Sequence, residues 1–543
     1  MKLIKYTLFL LLLSNNLLAQ VDQGISLINS GMYVSAKKYF KLLAEDPTLK
    51  PEACYYLGEI YRQTGNTDSA SWYYEEGLKS PVPNALCIVG KASLIMKNDA
   101  ESTAEMIKKA GQIKDYKKNP ALFVAIAKAY AFNQQFDKAL ETLNSAKELN
   151  KTCTDMYITE GDIYLELEKP GDAAGKYESA ITLNSRCKEA YYKVAWIYYR
   201  GKLQSQAIEY LNKLLAIDPD FPPALKLLGD IYYDQGKYAK TAEYYARYLQ
   251  SAEAQLNDRI RYAYALHFNK EYNKSIEEIR ALLPANPDKP VLKRILAYNL
   301  NETSDNKMGI ETLKDFFRSV NDSEVISNDY RHYASMLQKD GQDSLAIINF
   351  EKAMKTSSSP VEYYKDIATS YEKMKKYREA ASYYKKHVIS GKNNVPADLL
   401  YWGRDCYFAA SAIDSASIAA DSSLLFVKNQ LFHEADSVFG DFSVRYPEHY
   451  MGYFWRARVN AILDPETETG LAKPYYEKVV EILEKSSTAE RRKELVESYQ
   501  YLGYYFYLKT DESNSLLYFN KILAVDPENS IAKQAIEGMQ RKN

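Results

Sequence analysis

The sequence predicts an all-α solenoid of stacked antiparallel helix pairs, and three observations carry that prediction. Between Ala190 and Leu249 one pattern occurs twice: Ala195, Tyr198, Gly201, Ala207 and Leu211 are answered by Gly229, Tyr232, Gly236, Thr241 and Tyr245, offset by 34 residues except at the turn glycines, which slip by one. Small residues keep the same step over a longer stretch, at Gly161, Ala195, Gly229, Ala263 and Ala297. The chain also holds 49 tyrosines, many of them at recurring offsets within this pattern. Apolar residues at i, i+3, i+4 and i+7 make a helix face, and a glycine between two such faces marks a turn. A single pair of this size cannot bury its apolar side alone, so it must stack on the next pair.

Taken in order, Lys2 and Lys5 precede an apolar run from Tyr6 to Leu13, then a small residue, Ala19, ahead of Gln20. This is the layout of a secretory signal over residues 1–19, cleaved after Ala19, and the apolar run is too short to span a bilayer. The mature chain is therefore expected to be exported, to the periplasm or in association with an outer membrane. A regular array is expected over residues 20–390. Its first-helix anchors are Gly24, Gly58, Ala92, Ala127, the five small residues above, then Ala334 and Ala368. Small residues on the second helices keep step at Ala36, Ala70, Ala104, Ala139, Ala173, Ala207, Thr241, Ser275 and Gly309. Residues 391–543 read as divergent units with longer helices: Gly403 opens a first helix whose partner, with Ala435, Phe439 and Phe442, arrives late. An amphipathic helix from Asn529 to Met539 is expected to cap the end.

A 34-residue period with a small residue and Tyr on one helix, and a small residue and an aromatic on the next, resembles the tetratricopeptide repeat family. The segment around Trp455, Leu463-Asp464-Pro465 and Gly470 to Glu477 further resembles exported tetratricopeptide proteins of Bacteroidota. The resemblance implies a right-handed superhelix of about thirteen or fourteen helix pairs. It also implies a non-catalytic scaffold or adaptor of the cell envelope that binds a peptide or protein segment in a concave groove. Fold alone does not settle function.

Composition narrows the alternatives. Lys plus Arg is 70 and Asp plus Glu is 71, so no bulk charge points to nucleic acid. Five His residues are scattered without metal-ligand or catalytic spacing, and no phosphate loop, nucleophile elbow or dinucleotide fingerprint occurs. No enzyme activity, cofactor or metal is expected. Cys54 and Cys87, and Cys153 and Cys187, lie at equivalent places on adjacent pairs. Stacked helices hold such points about 8–10 Å apart, beyond the roughly 7 Å reach of a disulfide unless a loop adjusts. Packed free thiols are the expectation, with bridges as the alternative.

In the family's superhelix the groove is lined by first-helix residues three before, one after and four after each anchor. In the middle of the array that face is aromatic: Tyr192, Trp196, Tyr199, Tyr233, Tyr264 and Tyr298, with Asp230 among them. Lys226, Arg294, Arg331 and Lys365 form a basic row. The functional reading is an aromatic floor for a peptide, with the cations holding acidic groups. The competing reading is that the rings pack on neighbouring helices and the cations are solvated. The family's carboxylate clamp uses Lys and Asn, and no Asn follows any anchor here. Glycan binding is the rival function, because Tyr and Trp faces stack on sugars. It requires acids or amides beside the rings, for which Asp162, Asp230 and Asn301 qualify. Self-assembly through the array ends is a second rival, and the capped end argues against it.

Overall fold

The computed structural model describes residues 20–541 except 82–83, 115, 392–393 and 486–490, so the expected signal segment lies outside the described residues. All regular structure among them is helical. The chain divides into two compact units after Ala281, inside the stretch of regular spacing.

The first unit holds α1 (20–29), α2 (Tyr33–Leu43), α3 (Lys50–Gln63), α4 (Thr67–Leu78), α5 (Ala85–Ile95), α6 (Ala100–Gln112), α7 (Pro120–Phe132) and α8 (Phe136–Leu149). It continues with α9 (Thr154–Glu166), α10 (Pro170–Leu183), α11 (Lys188–Arg200), α12 (Gln204–Ile217), α13 (Pro222–Asp234), α14 (Tyr238–Tyr248), α15 (Leu256–Phe268) and α16 (Tyr272–Leu282), at whose end the division falls. The second unit holds α17 (Pro290–Glu302), α18 (Asn306–Ser319), α19 (Ser327–Lys339), α20 (Asp343–Thr356), α21 (Tyr364–Lys373), α22 (Tyr377–Ser390) and α23 (Pro396–Ser411). After a short α24 (Ser415–Ala420) come α25 (Ser423–Arg445), α26 (Tyr450–Leu463), α27 (Lys473–Glu484), α28 (Arg492–Leu508), α29 (Glu512–Val525) and α30 (Ser530–Gln540). Within each unit a helix packs on its pair partner and first helices pack on first helices, as α3 on α5 and α17 on α19. The insert after Ala409 becomes α24 and the first turns of the 23-residue α25, and α30 packs on α29 with Ala532 and Met539 buried.

One contact recurs in nearly every pair. The residue sixteen positions after an anchor points from the second helix into the gap above it, and in most pairs it is a large buried side chain. Under glycine it is aromatic: a Cβ at Gly58 would stand 2.3 Å from the Tyr74 ring, at Gly161 2.4 Å from Tyr177, and at Gly229 2.7 Å from Tyr245. Under Ala127, Ala195 and Ala263 it is a fully buried aliphatic, Leu143, Leu211 or Ile279, and after Ala334 and Ala368 it is again a buried ring, Phe350 and Tyr384. Gly403 meets Phe439 in the same way across the insert. Close packing of this kind tolerates neither an added nor a missing methylene cheaply.

The turns explain the one-residue glycine slip. The left-handed residue after each first helix falls at Gln134, Glu168, Lys202, Gly236 and Lys270, in steps of 34. Gly236 occupies it, whereas Gly201 sits one place earlier with an ordinary φ of −76°. Gly201 lies in the turn as expected, but its left-handed position is taken by Lys202, and the turn is closed by Lys202 N–H to Tyr199 O at 2.9 Å and Leu203 N–H to Tyr198 O at 2.8 Å. The third pair also departs from expectation. The Asp99 side chain caps α6 by accepting from Ser102 N–H at 2.9 Å, and α6 starts one residue early relative to its anchor. Thr103 is therefore the buried small residue, and Ala104 is exposed.

A non-glycine residue in the left-handed region is strained and glycine is not. Lys202→Gly is expected to raise stability by about 0.5–1 kcal/mol, and Gly236→Ala to lower it by about 1 kcal/mol, read from denaturant midpoints of the full chain. Equal effects of one sign would contradict this assignment of the turn.

Candidate functional site

The candidate residues come from first helices, at the three positions around each anchor that share one helix face. The division after Ala281 puts Tyr192, Trp196, Tyr199, Lys226, Asp230, Tyr233 and Tyr264 in the first unit, and Arg294, Tyr298, Arg331 and Lys365 in the second.

Three of the four cations are engaged by the chain's own carboxylates. Lys226 Nζ lies 2.7 Å from Asp258 Oδ1, Arg294 Nε 2.8 Å from Asp329 Oδ1, and Lys365 Nζ 2.7 Å from Asp398 Oδ1. Each of these aspartates is buried and is the third residue of the next first helix, where it closes a capping box: Asp258 accepts from Gln255 N–H, Asp329 from Ile326 N–H and Asp398 from Val395 N–H. A helix N-terminus favours a carboxylate there, and the cation from the preceding pair offsets the burial of its charge. The basic row is thus largely a set of staples between successive pairs. Arg331 is exposed.

The same commitment appears among the aromatics and acids. Tyr298 is buried, donates to Asp329 Oδ1 at 2.7 Å and stacks on His332 with centroids 4.0 Å apart. Asp230 accepts from Tyr245 OH at 2.6 Å and pairs with Arg261, and Asp162 accepts from Tyr177 OH at 2.6 Å and from Lys193 at 2.7 Å. Asn301, the third residue suited to a sugar, faces His332 and Lys339. Tyr199 OH donates to Asp234 at 2.9 Å. Tyr233 is half-buried beneath Arg261, and Tyr264 stacks on Phe268. Tyr192 is half-buried, and burial followed by the nearby Asp230 charge pushes its hydroxyl up to about 12. Trp196 is the most open, 36% exposed, with Arg200 over its ring. It borders a cavity of about 740 Å³ with Leu165, Glu168, Glu178 and Arg200.

The first unit contains a contact that the repeat pattern does not announce. α1 and the start of α2 reach across to later pairs: Asn29 Nδ2 donates to Asp155 Oδ1 at 2.9 Å, and Ser26 Oγ to Glu189 Oε2 at 3.1 Å. The amides of Val34 and Ser35, in the first turn of α2, donate to the Glu253 carboxylate at 3.2 and 2.7 Å. Met32 is buried in one apolar cluster with Ala195, Leu228 and Ile231, and Leu27 and Tyr192 pack against it. The turn carrying Glu253 is itself held by Tyr248, whose OH lies 3.1 Å from Glu253 O and 2.9 Å from Asp258, the partner of Lys226.

A family model described as tetratricopeptide repeat matches residues 158–222, and another of the same description matches 51–80. This chain carries tetratricopeptide repeats. The curated relatives it resembles include anaphase-promoting complex subunit 3 of Schizosaccharomyces pombe, 22% identical over 31% of this chain and 26% of that protein. They also include the TPR repeat-containing protein YpiA of Bacillus subtilis, 21% identical over 49% of this chain and 60% of that one. The chain thus spans less than two thirds of the length of either. Similar solved structures include the C-terminal part of a TPR repeat-containing protein from Cytophaga hutchinsonii, at 29% identity and a TM-score of 0.41, covering 51% of this chain and 98% of that one. A tetratricopeptide repeat protein from Parabacteroides merdae is similar at 16% identity and a TM-score of 0.30, covering 46% and 98%.

All five cysteines of the repeats are free thiols, so the bridges left open by their spacing do not form; Cys87 Sγ instead donates to Pro51 O at 3.3 Å. Among the described residues no group of three or more His, Cys, Asp or Glu is placed to hold a metal, and no helix is long and apolar enough to cross a membrane. In the second unit, Asp405 is fully buried with neither carboxylate oxygen hydrogen-bonded, and burial followed by repulsion from Glu372 pushes it up to about 8. Its proton is retained at neutral pH, and because the folded value is the raised one, its contribution to stability falls as pH rises towards 8.

Sequence reasoning missed Asp258, Asp329 and Asp398. Their signal was present: each lies 32 to 35 residues after its cation and three after a helix-capping position. Arg294→Ala leaves Asp329 buried without its cation and is expected to destabilise the second unit by about 3 kcal/mol. Arg331→Ala is expected to change it by less than about 0.5 kcal/mol. Hydrogen exchange of α19 amides reads both, and equal protection losses would contradict the staple assignment.

Proposed function

We propose that this chain is an exported, non-catalytic scaffold or adaptor of the cell envelope that binds a protein segment along the first-helix face of its first unit. The observation that carries the reading is that this face already accepts a helix of the same chain through paired polar and apolar contacts, at Asp155, Glu189 and Glu253 and at the cluster around Ala195. The signal-like residues 1–19 support export. A solved structure of YrrB, described as having an unusual peptide-binding site, is among the similar folds, and that description belongs to YrrB.

Glycan binding keeps one supporting observation. The cavity beside Trp196 combines a partly exposed indole, with Arg200 over its ring, with Glu168 and with Glu178, which accepts from Tyr210 OH at 2.7 Å, and aromatic and acidic groups together suit a sugar ring. Asp162, Asp230 and Asn301 are already engaged, so the glycan reading rests on this cavity alone.

Trp196→Ala with Tyr199→Ala, tested by crosslinking capture from the cell envelope against the unaltered chain, separates the two. The protein-binding reading expects at least about tenfold less of a specific protein partner, with an unchanged helical melting curve. Loss of a captured glycan with protein capture intact would favour the cavity reading, and recovery of the chain outside the envelope fraction would contradict the proposed location.

A further inference from the structure

We propose that α1 and the first turn of α2 form a latch across the first unit's groove, and that a cationic amphipathic helix of a protein partner binds by displacing it. This inference rests on the protein-binding reading above and adds both the regulation and the chemistry of the ligand.

The latch is built from contacts far apart in sequence. Ser26, Asn29 and the Val34 and Ser35 amides meet Glu189, Asp155 and Glu253 across separations of 126 to 219 residues, on α9, α11 and the turn before α15. Beside them, Met32 and Leu27 enter the apolar cluster of α11, α12 and α13. The opposite side of α1 is spent on ordinary pair packing, with Val21 and Ile28 in the cluster of the first repeats and Gly24 over the Phe40 ring. One helix thus belongs to the first pair by one side and to the groove by the other, so the groove can open through local release of α1 and α2 while the remaining pairs stay stacked.

Charge identifies the competitor. Every acceptor the latch uses on α9, α11 and the turn before α15 is a carboxylate, and every donor it offers there is neutral: a hydroxyl, an amide and two backbone N–H groups. Residues 20–32 contain no Lys or Arg, and their one charged residue is Asp22. Partial desolvation and the charge of Asp155 hold the Asp22 carboxyl above its usual range, and burial holds that of Glu189 above its own. Asp155 has Lys128 at 3.3 Å, whereas Glu189 and Glu253 face donors from the latch. The neutral donors Ser26 and Asn29 leave the carboxylate charges without a counter-charge from the latch, and a Lys or Arg in their place would supply one as an ion pair. A helix with apolar residues at the spacing of Leu27 and Met32 and cations beside them therefore suits this groove better than the segment that fills it.

The test uses the full mature chain and two stapled peptides of residues 20–32, one carrying Asp22→Lys, Ser26→Lys and Asn29→Lys, the other Ser26→Glu and Asn29→Glu. The chain is taken unaltered and with the latch weakened by Asn29→Ala and Met32→Ala. A second variant, Val34→Pro, removes one donor to Glu253 in the first helical turn, where proline is tolerated, and leaves the apolar contacts untouched. Expected are faster α1 hydrogen exchange in both variants, cationic-peptide binding at least tenfold tighter to them than to the unaltered chain, and anionic-peptide binding at least tenfold weaker than cationic. Equal affinity for open and unaltered chains overturns the latch and leaves the protein-binding reading standing. Faster exchange with no peptide bound by any chain overturns that reading as well. Equal binding of the two peptides overturns the charge assignment.

Discussion

The contact between each first-helix anchor and the side chain sixteen residues later sets how closely two helices of a pair approach, and the rest of the structure follows from that distance. Glycine admits a Tyr or Phe ring with no room for a Cβ, whereas alanine faces Leu or Ile in the first unit and Phe350 or Tyr384 at Ala334 and Ala368. Where a glycine anchor faces Tyr, the hydroxyl needs an acceptor at the edge of the core, and an acid directly after the anchor supplies it: Glu59 for Tyr74, Asp162 for Tyr177, Asp230 for Tyr245, each at 2.6 Å. Three residues therefore act together, a glycine, the acid beside it and a tyrosine on the next helix. The acid occupies a groove position while serving the core beneath it.

That coupling explains why a chain rich in aromatic and charged residues on its first-helix face leaves so few of them available. The acids after glycine anchors serve tyrosines, and Lys226, Arg294 and Lys365, each before an anchor, serve the capping aspartates of the following pair. What remains for a partner in the first unit is the indole of Trp196 and the face now covered by α1. A stacked array buries its core only between neighbours, so charged groups at the edge of each interface are drawn into holding pairs together.

The pair boundaries, the position of the late second helix after Gly403 and the capping helix were legible because each depends on residues within one 34-residue period. Gly201 marks the turn in the sequence, but the left-handed position at Lys202 was not legible, because the backbone there depends on the position rather than the residue type. The third pair slipped for the reverse reason, since Asp99 caps α6 early and shifts its register. Aromatic and basic stripes were visible as stripes, but their partners were not, because the capping aspartates lie in the next repeat. The latch was least legible, since its contacts follow no period.

The most direct measurement of the account is a double-mutant cycle at Gly161 and Tyr177 in the full chain, read by hydrogen exchange of α9 and α10. Gly161→Ala is expected to destabilise this pair by about 2 kcal/mol through overlap with the ring, and Tyr177→Leu also to destabilise it by leaving a void and freeing Asp162. Together they recreate the Ala195 and Leu211 combination found one repeat later, so the double variant is expected to be more stable than the sum of the two losses by at least about 1 kcal/mol. Strictly additive losses would contradict the claim that anchor and ring are a matched pair on which the solenoid is built.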